Sequence, residues 1–588
     1  MKEAQLNGAQ LSVINSRLEG VCKKMANTLL RTGRSGVLNR ARDFSCCIVT
    51  RDCELLTAAD CLPIHVLSGP DLMARSVHDF HPALHRGDAF LHNSPYHGCS
   101  HPADHTIVMP VIDGDGLHRF TVLAKAHQAD IGNAVPTTYS ATARDVYEEG
   151  ALIFPAVKVQ DRGVVVEDIV RMCRMRIRVP DQWYGDFLAM LGAARIGAQE
   201  IERLAADLGW ATLDAFSRQW LDYSEARMAA AVRRLVTGNG RATTVHDPMP
   251  GTPPNGISLP ASVSVDSLNG RISVDLTEAP DALPCGLNLS EACSRTAALA
   301  GVFNCLQENV PKNAGSFRRI DVRLREGSVA GIPRHPTSCS MATTNVADRL
   351  TAAVQLAFAD ACPEVGMAEV GPNLPACKSV IAGFDERFGR SFVNQLFLGA
   401  TGGAAMGWGD AWLTYGHVGN GGMAFIDSVE QDELLYPIQV LERRLVPDTE
   451  GAGEWTGASS LRVEFRATSP FTATYSADGC VNAPQGVRGG LPGGLAAQFR
   501  RTQLGHIEPL PPSASIRLDV GESVVAITPG GGGFSSPLGR DPERVAEQVR
   551  SGLVSPERAR DVYGVCIDGD GRVDVEETRA TRRWAASS

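Results

Sequence analysis

No apolar run in this chain approaches the roughly 18–20 residues that a membrane-spanning helix requires; stretches such as "TVLAKA" and "LTAAVQLAFADA" are short or broken by polar residues. No block of five basic residues occurs either, and 56 Lys+Arg face 66 Asp+Glu, a net charge of −10. These absences exclude a membrane span and disfavour nucleic acid or an anionic membrane as partner. Among the 15 cysteines there is no C-x-x-C spacing, so zinc ribbons and dithiol redox motifs are out. Scattered thiols of this kind are expected to be buried and reduced, which makes the cytoplasm the expected compartment.

Sequence signatures of several enzyme classes are missing as well. There is no Gly-x-Ser-x-Gly elbow and no HExxH helix, which removes support for a serine hydrolase or a zinc protease of that type. The run "TPGGGGFSSP" has no Lys-Ser/Thr pair opening a helix, so it is expected to be a tight structural turn rather than a phosphate loop. "DGDGRVDVEETR" mimics a calcium loop but places Val573 where glycine is required, and a surface hairpin is expected there.

What remains is a chain of 588 residues, long enough for two to four domains on a prior of about 150 residues each. Residues 1–35 carry helical periodicity without the apolar core of a secretory leader. "DFSCCIVT" reads as a strand, and residues 88–160 alternate Val/Ile-rich runs with Gly, Pro and Asn clusters. From "VPDQWYGDFLAML" to "VRRLVTG" the period becomes helical for about 55 residues. A hairpin around Asn269-Gly270 and a helix capped by Ser290 open a second α+β unit. The glycine-rich segment 399–424 predicts irregular, closely packed backbone, and β-strand texture with a helical tail follows from about 437. The expectation is a multi-domain α+β protein without internal repeats: a sheet-rich metal-binding part with a helical layer (1–240), a central α+β part (241–436) and a β-rich part with a helical tail (437–588).

The chemistry concentrates in "YHGCSHPADHT", residues 96–106, and in "LAKAHQADIG" some twenty residues later. A histidine followed three positions on by an aspartate can grip one divalent ion from a single loop, and His101 and Asp104 have that spacing. His127 ends the next apolar segment, so two neighbouring strands can deliver all three side chains to one place. Asp43, beside the first strand, is a fourth candidate ligand from another direction. Mixed imidazole and carboxylate ligation suits Zn or Mn and leaves room for a water activated as hydroxide. Asp130 and His105 are candidates to orient the imidazoles or to replace one ligand, and Asp130 is the candidate catalytic acid–base residue.

The same segments carry a resemblance. "HNSPYHGCSHPADHTIVMPVI", "AHQADIG", "YEEGALIFPAVKV", "ARDFSCCIVT", "ISVDLTEAPDALPCGLNLSEA" and "ITPGGGGFSSPLGRDPERVAEQVRSGLVSPERARDVYGV" together resemble the hydantoinase B/oxoprolinase family, in order and over essentially the whole chain. The resemblance implies a subunit of a hetero-oligomer whose hydantoinase A-type partner binds ATP while this chain holds the divalent metal. It places metal ligands at Asp43, His101, Asp104 and His127. It implies an ATP-dependent hydrolase of small cyclic amides, in which hydroxide attacks a carbonyl activated by phosphorylation on the partner. The alternatives it leaves open are the metal subunit of a ketone carboxylase and an inactive scaffold for the ATPase. This chain departs from the family at Cys99-Ser100 and Gly132-Asn133, where paired glycines are common, and lacks the basic residue usual after the position of Asp478.

Overall fold

The computed structural model describes residues 5–59, 62–411, 413–414 and 425–587. Helix α1 (Gly8–Thr32) opens on a capping box: the Asn7 side chain accepts from the Gln10 N–H, and the Gln10 side chain accepts from the Asn7 N–H. Its buried residues Leu18, Cys22, Met25 and Leu29 recur every three or four positions. They form one apolar stripe, in which each fully buried Leu or Met contributes about 1.5–3 kcal/mol.

The chain then builds a seven-stranded sheet from β1 (Phe44–Thr50), β2 (Leu55–Ala58), β3 (Ala89–His92), β4 (Asp104–Ile112), β5 (His118–His127), β6 (Val157–Asp161) and β7 (Val164–Val165), in the order β2-β1-β5-β4-β3-β6-β7. A four-residue helix, α2 (Pro63–Val66), follows β2. Both faces of the sheet are covered, so β4 is buried throughout and apolar on both sides. Ile107, Met109 and Val111 join the core formed with α1 and the long helix α3 (Pro180–Leu208), whereas Val108 packs with Val49, Leu123 and Met73 on the other face. Helix α4 (Trp210–Val232) completes the expected helical layer.

A second sheet has the order β11-β10-β9-β8, from β8 (Gly238–His246), β9 (Ile257–Asp266), β10 (Arg271–Asp275) and β11 (Ile320–Arg323). The β9–β10 turn has Gly270 at φ +63°, a left-handed conformation that glycine adopts without strain. Helix α5 (Glu291–Cys305) is capped by the Ser290 hydroxyl, which accepts from the Cys293 N–H, and α6 (Val346–Ala361) is almost wholly buried. One apolar cluster runs continuously from Ile14 to Phe397, so the two sheets share a core.

The last third holds a four-stranded and a five-stranded antiparallel sheet with a separate core around Phe465, Phe471 and Val524. Strand Val380–Asp385 pairs with Phe471–Ser476, which ties the middle of the chain to this part. The four glycines 530–533 form no turn. Each donates its N–H to a backbone carbonyl outside the run, those of Gly494, Ala458, Glu369 and Leu491, so no amide is left to cradle a phosphate. "DGDGRVDV" does form a tight hairpin, with the Asp568 carboxylate accepting from the N–H groups of Asp570 and Arg572. Among the described residues no helix is long and apolar enough to cross a membrane. Of the glycine-rich segment 399–424, residues 412 and 415–424 lie outside the described residues.

Candidate metal centre

Sheet order explains how distant residues meet. Strands β1, β5 and β4 are adjacent and antiparallel, so the start of β1, the end of β5 and the start of β4 lie at one end of the sheet. Asp43 precedes β1, His127 ends β5 and Asp104 begins β4. Asp104 and His127 are direct cross-strand partners, and the His127 N–H donates to the Asp43 carbonyl at 3.0 Å. His101 reaches the same point from the loop before β4.

Three donor atoms converge there. His101 Nε2 lies 3.1 Å from Asp104 Oδ1 and 3.2 Å from His127 Nδ1, and His127 Nδ1 lies 3.2 Å from Asp104 Oδ1. All three side chains are buried. His101 Nδ1 is 2.8 Å from the Ser340 carbonyl, which can only accept, so Nδ1 carries the proton and Nε2 presents a lone pair. His127 Nε2 is engaged by the Thr138 hydroxyl at 3.1 Å, which leaves Nδ1 facing inward. Two imidazole nitrogens and a carboxylate oxygen thus face one another in a buried pocket, an arrangement that repels itself unless a cation or a proton sits among them. The donor set fits a divalent ion of the Zn or Mn type, whose bonds to such ligands run near 2.0–2.2 Å.

Asp104 is the hub. Burial raises its carboxyl, but the charges of His101 and His65 and the hydrogen bonds of His101 and His127 outweigh it and hold the group well below the usual carboxylate range. Its second oxygen accepts from Ser100 Oγ, which in turn receives Lys125 Nζ at 3.1 Å. Asp43 moves oppositely: burial and then the Asp104 charge push it up. Without a cation this pocket therefore takes up protons. His101 is raised because the pull of Asp104 overcomes burial, while burial lowers His127 to about 4.

His65 completes the cluster, and sequence reasoning missed it. It sits on α2 with Nε2 3.2 Å from Asp104 Oδ2 and 3.6 Å from Asp43 Oδ1. Ser100, Lys125 and Tyr139 were missed too. The Tyr139 ring stacks on His101 and His127 at centroid distances of 5.6 and 5.2 Å, and burial followed by the charges of Asp43 and Asp104 keeps its phenol protonated. Lys125 had a signal: it lies two residues before His127 and so on the same face of β5.

The two proposed orienting residues are elsewhere. His105 follows Asp104 on β4 and points to the opposite face, where Nδ1 accepts from Trp183 Nε1 at 3.3 Å and burial lowers it to about 3. Asp130 lies three residues past His127, but its carboxylate accepts from the Gly132 N–H and from the Arg178 N–H and Nη1. It forms no hydrogen bond or ion pair with the histidines among the described residues. The family departures also acquire roles. Ser100 holds Asp104, the Cys99 thiol donates to the Asp104 carbonyl at 3.2 Å, and Asp478 pairs with Arg349 of α6, 2.8 Å away.

The family model for hydantoinase B/oxoprolinase matches residues 7–537. The chain belongs to the hydantoinase B/oxoprolinase family. It is 29% identical over 579 residues to the caprolactamase subunit beta of Pseudomonas jessenii, covering 97% of this chain and 98% of that one. It superposes on a crystal structure of ATP-dependent caprolactamase from Pseudomonas jessenii with a TM-score of 0.88 and 27% identity, covering 99% of this chain and 100% of that chain. A nucleotide-free acetone carboxylase shares the fold at a TM-score of 0.85 and 16% identity, over 98% of this chain and 82% of its own.

Proposed function

We propose that this chain is the metal-bearing subunit of an ATP-dependent cyclic-amide hydrolase, working with a hydantoinase A-type partner that binds ATP. The observation that carries the reading is the convergence of His101, Asp104 and His127 within 3.2 Å of one another with their lone pairs turned inward. Asp43 is proposed as the fourth ligand. When bound, a divalent cation of the Zn or Mn type supplies charge that polarises a carbonyl and acidifies water.

The remaining work falls to residues of this chain. The Ser340 carbonyl and Thr138 fix the two ring orientations, and Lys125 with Ser100 holds Asp104. The stacked Tyr139 ring helps keep the pocket dry. Asp130, expected as an acid–base group, is proposed instead to anchor the loop that follows His127 through Arg178. A five-membered or larger lactam resists attack because its amide is resonance-stabilised, and phosphorylation on the partner removes that stabilisation. The similarity to a caprolactamase subunit beta, with near-complete coverage of both chains, supports amide hydrolysis and a partner subunit.

The fold shared with acetone carboxylase defines the competing reading. The co-purified complex is assayed with ATP against lactams and hydantoins, and against ketones with bicarbonate. Ring-opened product formed without bicarbonate establishes hydrolysis. Strict dependence on bicarbonate, with carboxylated product, establishes the alternative, and a chain that carries no ion and tolerates loss of His101 is a scaffold.

A further inference from the structure

A second polar cavity, of about 510 Å³, is lined by four arginines, Arg34, Arg40, Arg178 and Arg390, together with Gln182 and Tyr436. The arginines come from the segment that follows α1, the residue pair before α3 and strand Arg390–Gln395, regions far apart in sequence. Asp181 is the single carboxylate among the lining residues, and it is held by Arg174. Four guanidinium groups gathered around one cavity repel one another, so their partners decide what the cavity wants.

Two of the four are neutralised. Arg178 Nη1 lies 3.1 Å from Asp130 Oδ1. Arg40 Nε is 3.5 Å from Asp432 and 3.9 Å from Asp427, so its charge is met by two buried carboxylates, of which burial and then the Asp427 charge push Asp432 up. Arg34 and Arg390 have no carboxylate within ion-pair distance among the described residues. Asp186 and Asp385 feel these two guanidiniums from farther off, so they are the least compensated of the four. The amino end of α3, a helix of 29 residues, opens at the same cavity, and its N-cap Val179 provides no side-chain acceptor for the first-turn amides. Its partial positive charge adds to that of the arginines.

We propose that this cleft binds a small oxyanion, the phosphate or carboxylate group of a small molecule, at a site distinct from the His/Asp cluster. Planar guanidinium groups present paired N–H donors that match either group. The cleft is wired to the cluster at two points. Arg178 holds Asp130, three residues after His127, and Arg40 lies three residues before Asp43. An anion drawn between Arg178 and Arg40 therefore touches both segments that carry candidate ligands. The binding site stands whether or not the metal reading holds; its bearing on turnover rests on that reading, since ATP hydrolysis and amide opening release a phosphate and a carboxylate.

The test is titration calorimetry on the full chain, first stripped of metal with a chelator, using inorganic phosphate and acetate in separate arms at constant ionic strength. Saturable one-site binding of at least one anion is expected. The Arg34→Gln/Arg390→Gln double variant, changed at two solvent-facing positions, is expected to weaken it by about tenfold or more, while His101→Ala leaves it unchanged. The stronger arm identifies the preferred group. Failure of both anions to saturate the wild-type chain overturns the proposal, as does equal affinity in the double variant or loss of binding in His101→Ala.

Discussion

His65 Nε2 faces Asp104 Oδ2 across 3.2 Å, and because the ionised carboxylate can only accept, it sets the tautomer of the ring. Ser45 Oγ, which accepts from the Leu62 N–H, meets His65 Nδ1 at 3.1 Å and gives it the hydroxyl proton once Nε2 holds the ring hydrogen. His65 Nδ1 is therefore the acceptor and Nε2 carries the hydrogen, directed at Asp104 with Asp43 close by. His65 is a clamp on the carboxylates rather than a ligand. His65→Ala should weaken divalent-metal affinity about 10- to 100-fold, as loss of a partner behind a ligand commonly does. His65→Gln, which keeps an N–H donor, should recover part of it. Competition with a chromogenic chelator measures both, and an unchanged affinity in His65→Ala removes the clamp.

Asp104 supports a harsher outcome. It alone contacts His101, His127, His65 and Ser100, so Asp104→Ala should abolish stoichiometric metal binding and turnover of the complex together. Elemental analysis of the purified variant is the measurement. Retention of one ion per chain with full activity would falsify the proposed centre.

How much of this could be read from the residues alone follows from distance along the chain. The stripe of α1, the Asn269-Gly270 hairpin and the Ser290 cap are local patterns, and all three were legible. His101, Asp104 and His127 were legible because one hairpin brings β4 and β5 together. His65 was not: it is a single histidine on a four-residue helix, and only the placement of β1 beside β5 brings it to Asp104. The glycine run 530–533 looked like a turn because sequence shows the absence of side chains, not which carbonyls will approach. The cation for Asp478 came from 129 residues away.

That last pair yields a stability prediction. Arg349 is fully buried, bonds Asp478 through Nε at 2.8 Å and Nη2 at 3.1 Å, and reaches Glu369 at 2.6 Å. Burial alone would raise Asp478, yet Arg349 holds it down at about 2. Arg349→Met should destabilise the fold by roughly 3–5 kcal/mol, because two carboxylates are left buried without their cation. Arg349→Lys should rescue little, since an ammonium cannot make the two-pronged contact. Denaturant unfolding of each variant measures the loss; a change below about 1 kcal/mol for Arg349→Met would show that the carboxylates relax to water.

Gly531 separates a packed glycine from a free one. A Cβ at Gly531 would run into the carbonyl of Gly403, and both are backbone. Gly531→Ala should therefore cost several kcal/mol or prevent folding. Gly192, inside α3, has nothing within 4 Å of its Cβ position, so Gly192→Ala should stabilise the helix by about 0.5–1 kcal/mol. Thermal melts of the two variants should shift in opposite directions.

The pH dependence of stability should trace in part to His92. It is fully buried on β3, with Nδ1 accepting from the Ser94 N–H and Nε2 donating to Ser76 Oγ, and burial lowers it to about 3. In the unfolded chain the same imidazole titrates near 6.5. The folded state thus holds the neutral ring, its contribution is complete above about 6.5, and it is lost as pH falls from there toward 3, because only the unfolded chain takes up the proton in that window. Between pH 7 and 5.5 this histidine should remove about 1 kcal/mol. His92→Gln cannot titrate, so the metal-free variant, though less stable at pH 7, should lose correspondingly less on acidification than the metal-free wild type. Parallel slopes in urea unfolding at the two pH values would mean that His92 is already neutral-equivalent in the unfolded chain or solvated in the folded one.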